Sequence, residues 1–404
     1  MTLDEARALD AADPLAPMRE RFALPEGVIY LDGNSLGPLP VGTRAAMTDV
    51  VERQWGERLI RSWNEGWIDA PTRIGAKIAA LIGAAAHEVI VGDSTSANLF
   101  KALVAALRID PGRGVVLSET GNFPTDLHVA EGAVACVPGA SLRAVPRGEV
   151  AAAIGADVAV LMLTHVHYKT AERWDMAALT AAAHAAGAVV VWDLSHSGGA
   201  VEIDLSGAGA DLAVGCTYKY LNGGPGAPAY LYAAERWQER LSSPLSGWMG
   251  HAEPFAFADA YAPAPGMKRW LAGTPPMLAM AALEAGVDLW AEVDRAAVWR
   301  KSAALWDIMA AAGAAAGLPC VTPADPAARG SHISFRVPHA FELTQALIAR
   351  GVIGDFRAPD VLRLGLTPLY LSHEDVWRAG ELLREIIADE TWRDPRYAER
   401  LAVT

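Results

Sequence analysis

From about residue 70 to residue 235, short unbroken apolar runs alternate with segments whose apolar residues recur at helical spacing. Glu88–Val91 reads as a strand, and Ala97–Leu107 reads as a helix with Leu99, Phe100, Leu103, Val104 and Leu107 on one face. Val115–Ser118, Val158–Leu163, Val189–Trp192, Leu212–Cys216 and Ala229–Tyr232 are further strand-length runs, and Met176–Ala186 predicts a helix stopped by Gly187. The runs are apolar at every position rather than every second one. That pattern belongs to strands buried on both faces, so it predicts an α/β fold with a mostly parallel sheet covered by helices. After residue 276 the pattern changes to a long helical stretch (277–315), the run HISFRV, a helix around 341–350, VLRLGLTPLY and a last helix around 373–389. A large α/β domain over 46–276 and a smaller α+β domain over 277–404 follow. Residues 1–45, irregular and punctuated by Pro and Gly, are expected to pack on the body.

A chain of 404 residues with 52% hydrophobic and 20% charged residues can bury a core larger than one domain usually needs, and disorder is excluded as its general state. The net charge of −13 argues against a nucleic-acid partner, so positive charge for an anionic small molecule has to be local. The three cysteines (Cys136, Cys216, Cys320) are far apart and form no CxxC pair, which fits buried thiols better than disulfides or a metal site; no metal is expected. The start of the chain is acidic and lacks the charge and apolar pattern of a signal peptide. The most apolar long stretch, around Asp307, is Ala-rich and interrupted by that charge, so no membrane span is expected. A cytoplasmic protein is the expectation.

Open α/β sheets bind ligands outside the carboxyl ends of their strands, which makes the residues after each run the candidates. They are Gly-Asp-Ser-Thr-Ser (92–96), Gly-Asn-Phe-Pro-Thr-Asp (121–126), Thr164, Asp193 with His196, and Thr-Tyr-Lys (217–219) before a glycine-rich turn. Thr95 and Ser96 open a helix, where free N–H groups and the positive dipole end suit a phosphate; an ordinary N-cap would use the same residues. Asp193 suits a protonated pyridine nitrogen or, equally, the cap of the following turn. Lys219 follows an apolar strand and sits between two tyrosines, which favours an imine-forming amine over a surface lysine. Phe123 suits the face of a ring or plain core. Together these residues point to pyridoxal phosphate.

Asp193 and Lys219, 26 positions apart, resemble the aspartate and lysine of the aminotransferase-like (fold-type I) pyridoxal-phosphate enzymes. Within that superfamily, YLDGNSLGPLP (30–40), NFPTD (122–126), WDLSHSGG (192–199), CTYKYLNGGPG (216–226), GWMGH (247–251), GTPP (273–276) and RLGLTPLY (363–370) are together similar to kynureninase of the bacterial type. The resemblance runs in order over most of the chain and implies the seven-stranded sheet of that fold. It also implies hydrolysis of L-kynurenine to anthranilate and L-alanine in tryptophan catabolism. By position, Thr95, Ser96, Phe123, Asp126, Thr164, Asp193, His196, Tyr218 and Lys219 would contact the cofactor. Trp248 and Thr274 would reach it from the partner of a homodimer. Ser35, Trp63 and Arg363 would contact substrate. Lys219 would act as base, Asp193 would hold the ring nitrogen, and Tyr218 is the candidate proton shuttle. Trp63 and Thr274 resemble the form that favours kynurenine over 3-hydroxykynurenine.

Independently of that likeness, Arg363 lies in an apolar strand-like run where a buried guanidinium needs an anion, either a substrate carboxylate or a structural Asp or Glu. Trp63 and Trp248 are by default packing residues, His196 a satisfied histidine, and Ser35 a turn former. Three rival readings stand beside the hydrolase. A cysteine desulfurase or selenocysteine lyase needs a nucleophilic cysteine, for which Cys320 is the candidate. An aminotransferase of the same fold is the second. A non-catalytic pyridoxal-phosphate-fold protein, which would have lost the lysine or the aspartate, is the third.

Overall fold

The structure, a computed structural model, describes residues 1–400. These form two compact units, one of residues 44–166 and 174–288, the other of residues 1–43, 167–173 and 289–404.

The larger unit is built on a seven-stranded sheet. Its spatial order is Val89–Val91, Tyr230–Ala233, Leu212–Gly215, Val189–Asp193, Val158–Thr164, Val115–Glu119, Ser141–Val145. Tyr230–Ala233 runs antiparallel to both neighbours, and the other pairs are parallel. Every residue of Val158–Thr164 and Val189–Asp193 is buried, as expected of strands covered on both faces. The helix Thr95–Leu107 contributes Leu99, Leu103, Val104 and Leu107 to the core under this sheet, together with Val160, Val191 and Val214. Asp175 caps Met176–Ala185 by accepting from the Ala178 N–H, and Gly187 ends that segment with φ of +81°. The segment expected as one helix over 277–315 is instead Met277–Asp288 in this unit and Arg295–Ala315 in the other.

The second unit contains an antiparallel sheet in the order Asp355–Arg357, Val361–Gly365, His332–Arg336. The helices Arg295–Ala315 and Ala340–Ala349 pack on it, and His373–Ala388 packs on those two helices. Gly313 is required where the first of these meets the sheet, because a Cβ there would lie 2.2 Å from the Phe335 ring. The first residues are more ordered than their composition predicts. Leu3–Ala11 is a helix with a Thr2–Glu5 capping box, and Ile29–Tyr30 pairs in parallel with Val352–Ile353. Asp10, Asp13 and His373 bring acid and imidazole atoms within 4.8 Å of one another, but Asp10 caps the His373 helix and Asp13 pairs with Lys301 at 2.7 Å. Their role is structural.

Candidate active site

Strand order turns the separate strand ends of the larger unit into one constellation. Thr164 and Asp193 are direct partners on neighbouring strands, and Asp193 is paired in turn with Val214 of the strand that leads to Lys219. Gly215 ends that strand under Tyr230, whose hydroxyl would lie 2.3 Å from any Cβ at this position. The chain then turns, and Lys219 is carried inward with only 9% exposure. Its Nζ stands 2.9 Å from His196 Nε2 and 5.9 Å from the ring centres of both Phe123 and Tyr218.

Asp193 is held by the turn that follows it. Its Oδ1 accepts from both the N–H (2.8 Å) and the hydroxyl (2.6 Å) of Ser195, whose oxygen accepts from the Cys216 N–H. Asp126 lies on the next helix, Pro124–Ala135, with Oδ2 3.0 Å from Thr164 Oγ1, and Thr164 Oγ1 is also 2.5 Å from Asn122 Oδ1. Burial, then the thiol of Cys216, push the Tyr218 phenol well above its usual range, so it enters any reaction with its proton on.

At the phosphate-type position the structure separates two readings. The N-cap of Thr95–Leu107 is Ser94, whose side chain accepts from the Ala97 N–H. Thr95 and Ser96 are therefore the first residues inside the helix, and capping does not consume their hydroxyls. The turn before them is braced by Asn98, which donates to the Gly92 carbonyl at 2.9 Å. Lys101 braces it too, joining Asp93 (2.7 Å) to the Trp270 carbonyl (2.8 Å).

Trp63, Trp248 and Thr274 lie in the same unit but outside this cluster. Trp63 meets Trp67 and Trp248 edge-on at 5.7 and 6.3 Å, Trp248 meets Phe255, and Thr274 is exposed.

In the second unit, Arg363 and Ser35 share a buried cluster. Asp355 is the cross-strand partner of Arg363 and accepts from its Nε at 2.8 Å and from its Nη2. Arg363 also donates to Ser35 Oγ (2.8 Å) and to the Tyr168 carbonyl. Arg357 donates to the same Asp355 oxygen at 2.6 Å and to Ser35 at 3.0 Å. The anion that a buried Arg363 needs is thus already present as Asp355. Burial raises the Asp355 carboxyl, but the charges and hydrogen bonds of Arg363 and Arg357 outweigh it and hold it at about 2. Asp32 goes the other way, pushed up to about 8 by burial and by the neighbouring Asp355. Two guanidiniums against one carboxylate leave one positive charge in excess. Sequence reasoning missed Asp355, Arg357 and Asp32. The alternation of Asp355 and Arg357 on one strand face was the available signal, but their pairing with Arg363 is tertiary.

The larger unit's residues fit pyridoxal phosphate. A buried amine, an aromatic face, a carboxylate already oriented by two donors and a helix start whose Thr95 and Ser96 hydroxyls are not used in capping are what an aldehyde, a pyridine ring, its nitrogen and a phosphate require. Cys320 lacks the features of a nucleophilic thiolate. Cys320 and Cys136 are exposed, unlike the buried thiols expected, but Cys320 Sγ donates to the Thr322 carbonyl and partial desolvation pushes its thiol up, away from the thiolate.

Solved structures similar to this one include a cysteine desulfurase from Thermococcus onnurineus NA1, with a TM-score of 0.79, 19% identity and coverage of 93% of this chain and 98% of that one. A C-DES variant with glycine covalently linked to its PLP cofactor gives 0.77 and 17%, covering 90% and 98%. At such identities the likeness shows the fold, a mostly parallel α/β sheet of the pyridoxal-phosphate type, and not the reaction. A family model described as the kynureninase C-terminal domain matches residues 298–383. The kynureninase of Deinococcus radiodurans is 52% identical over 94% of this chain and 95% of its own length. That of Burkholderia mallei is 51% identical over the full length of both. On identity of that extent, the chain belongs to the kynureninase family.

Proposed function

We propose that the chain hydrolyses the Cβ–Cγ bond of L-kynurenine, consuming one water and releasing anthranilate and L-alanine. The observation that carries this reading is identity above half with kynureninases over the whole chain, joined to an intact Lys219–His196–Asp193 cluster. The similar cysteine desulfurase structure is only 19% identical, and the lysine and aspartate that a non-catalytic protein would have lost are both in place. Incubating the purified chain with L-kynurenine should release fluorescent anthranilate and an equal amount of alanine. Transfer of the amino group without either product would overturn the reading.

Pyridoxal phosphate, when bound, supplies an electron sink for the negative charge that develops as bonds to the substrate's Cα and Cβ break. Lys219 would hold it covalently, and its Nζ is placed to take the α-proton of the substrate. Asp193, fixed by Ser195, would hold the ring nitrogen protonated. Tyr218 carries its proton, which places it to protonate Cβ, the carbon that stays with alanine as the methyl group. Thr95, Ser96, Phe123, Asp126, Thr164 and His196 are proposed to line the cofactor, and Trp63 to face the aromatic part of the substrate and favour kynurenine over its 3-hydroxy form.

Ser35 and Arg363 are proposed to take the substrate α-carboxylate, which the excess positive charge of their cluster suits. That excess disappears as Asp32 ionises, because two carboxylates then balance two guanidiniums. KM for kynurenine is therefore expected to rise as pH passes through about 8, and Asp32→Asn should flatten the rise. Identical KM profiles in the two proteins would remove Asp32 from substrate binding.

A homodimer is proposed from exposed apolar residues of the larger unit. Ile60 (76% exposed), Trp55 and Leu59 lie on one segment, and Phe255 and Phe257 (83%) on another. The ring contacts Trp63–Trp248–Phe255 join the two segments into one apolar patch, the kind of surface at which proteins associate. Trp248 and Thr274 are proposed to serve the partner's cofactor. Sedimentation is expected to give twice the 42.7 kDa chain mass, and Ile60→Asp with Phe257→Asp to shift it toward one. A monomeric wild type would refute the assembly. Among the described residues no helix is long and apolar enough to cross a membrane. A cytoplasmic location is proposed from the unpaired state of all three cysteines.

A further inference from the structure

Next to Asp193 lies a second buried carboxyl, Asp126, whose charge the roles above leave undefined. Hydrogen-bond bookkeeping around Thr164 decides it. The Phe123 backbone N–H, which can only donate, is 2.8 Å from Asn122 Oδ1 and so marks that atom as the amide oxygen. The amide nitrogen then faces Ser118 Oγ, at 3.2 Å. Thr164 Oγ1 is 2.5 Å from Asn122 Oδ1, and an oxygen that only accepts takes the single proton the hydroxyl has. Thr164 Oγ1 is also 3.0 Å from Asp126 Oδ2. With the threonine proton already committed, this contact is a hydrogen bond only if the carboxyl donates it. The neighbouring group agrees. Asp193 Oδ1 accepts from two donors of Ser195, as an ionised carboxylate does, and an ionised Asp126 would set a second buried negative charge beside it.

We propose that Asp126 is a neutral carboxylic acid, a proton donor standing beside an ionised Asp193, so that the site offers its cofactor one negative charge rather than two. The inference rests on the reading that Asp193 and Lys219 flank pyridoxal phosphate. Its physical sense is charge matching. A ring bearing one positive charge at nitrogen is balanced by one carboxylate, and the acid contributes an O–H where a second carboxylate would only repel electron-rich oxygens. Burial and the charge of Asp193 push the Asp126 carboxyl well above the usual range, against a smaller opposing contribution from Lys219.

Infrared difference spectra of the full-length chain, recorded in mildly alkaline buffer both with cofactor and after its removal, read this proton directly. Wild type minus Asp126→Asn is expected to show a protonated carboxyl C=O band; Asp32, present in both proteins, cancels. Thr164→Val should move that band in frequency, because it loses the hydroxyl that accepts from the acid. A subtraction that shows only loss of an ionised carboxylate band overturns the proposal. Should Asp126→Asn fail to fold, a Thr164→Val spectrum with every protonated band unmoved overturns it alone. The spectrum without cofactor tests Asp126 itself, whereas failure of the kynurenine assay tests the reading beneath it, so the two failures are distinguishable.

Discussion

Replacing Lys219 with alanine is expected to lower turnover of kynurenine by about 10³–10⁴-fold, the scale of a lost proton-transfer group, with the loss of covalent anchoring added. The size follows from how little could replace it. The other buried lysine of the larger unit is Lys101, and its Nζ is committed to Asp93 and to the Trp270 carbonyl. His196 stands within reach of the vacated position, but it cannot form the same covalent link to an aldehyde. The cost to folding should be small by comparison, since Lys219 Nζ makes one short contact, to His196, and truncation leaves an accepting nitrogen that water can satisfy. Two readouts separate chemistry from collapse. Borohydride reduction followed by peptide mass mapping should place a pyridoxyl group on Lys219 in the wild type and nowhere in the variant. Anthranilate fluorescence should fall in parallel, with the unfolding midpoint in urea nearly unmoved. Wild-type turnover in the variant would assign the amine to another residue and sink the proposed chemistry.

Arg363→Lys is expected to raise KM for kynurenine by about 10- to 100-fold while changing kcat less, because it keeps the charge but loses the planar fork that meets a carboxylate in two places. Arg363→Ala should do more than remove a ligand contact. Asp355, 1% exposed, would keep only Arg357 as a charged partner, and breaking a buried pair in this way costs about 3–5 kcal/mol of stability. The two substitutions therefore separate binding from folding. Lysine should shift KM with a nearly native urea midpoint, and alanine should shift both. The opposite pattern, an unchanged KM with a large loss of stability in either variant, would make Arg363 a structural partner of Asp355 and nothing more. That alternative is concrete, since the Arg363–Asp355 pair has the geometry of a self-sufficient ion pair. What argues beyond it is Arg357, the second guanidinium on the same carboxylate, with Asp32 held neutral.

How much of this was legible in advance depended on the range of the interaction involved. The strands Val158–Thr164 and Val189–Asp193 could be read because burial on both faces writes itself into consecutive residues. Ser141–Val145 could not, because it is the edge strand and is partly exposed, so its polar residues hide the pattern. The helix Thr95–Leu107 was visible from its apolar face, but its cap was not. Ser94, Thr95 and Ser96 have similar chemistry, and only the Ser94 hydrogen bond to Ala97 shows which one closes the helix end.

The candidate site divides in the same way. The residue types, Lys219 after a strand, Asp193 at a strand end and Arg363 in an apolar run, were determined by the chain alone, because each is abnormal against its immediate neighbours. Their partners were decided by the fold. Thr164 stands opposite Asp193 only because the sheet places those two strands side by side. Asp126 meets Thr164, and Arg363 meets Asp355, through contacts between segments that no local pattern links. Apolar periodicity is encoded over a few residues and survives in the linear sequence. The protonation of Asp126 and the charge balance around Arg363 depend on which distant groups packing brings within hydrogen-bond reach, and that is settled only in three dimensions.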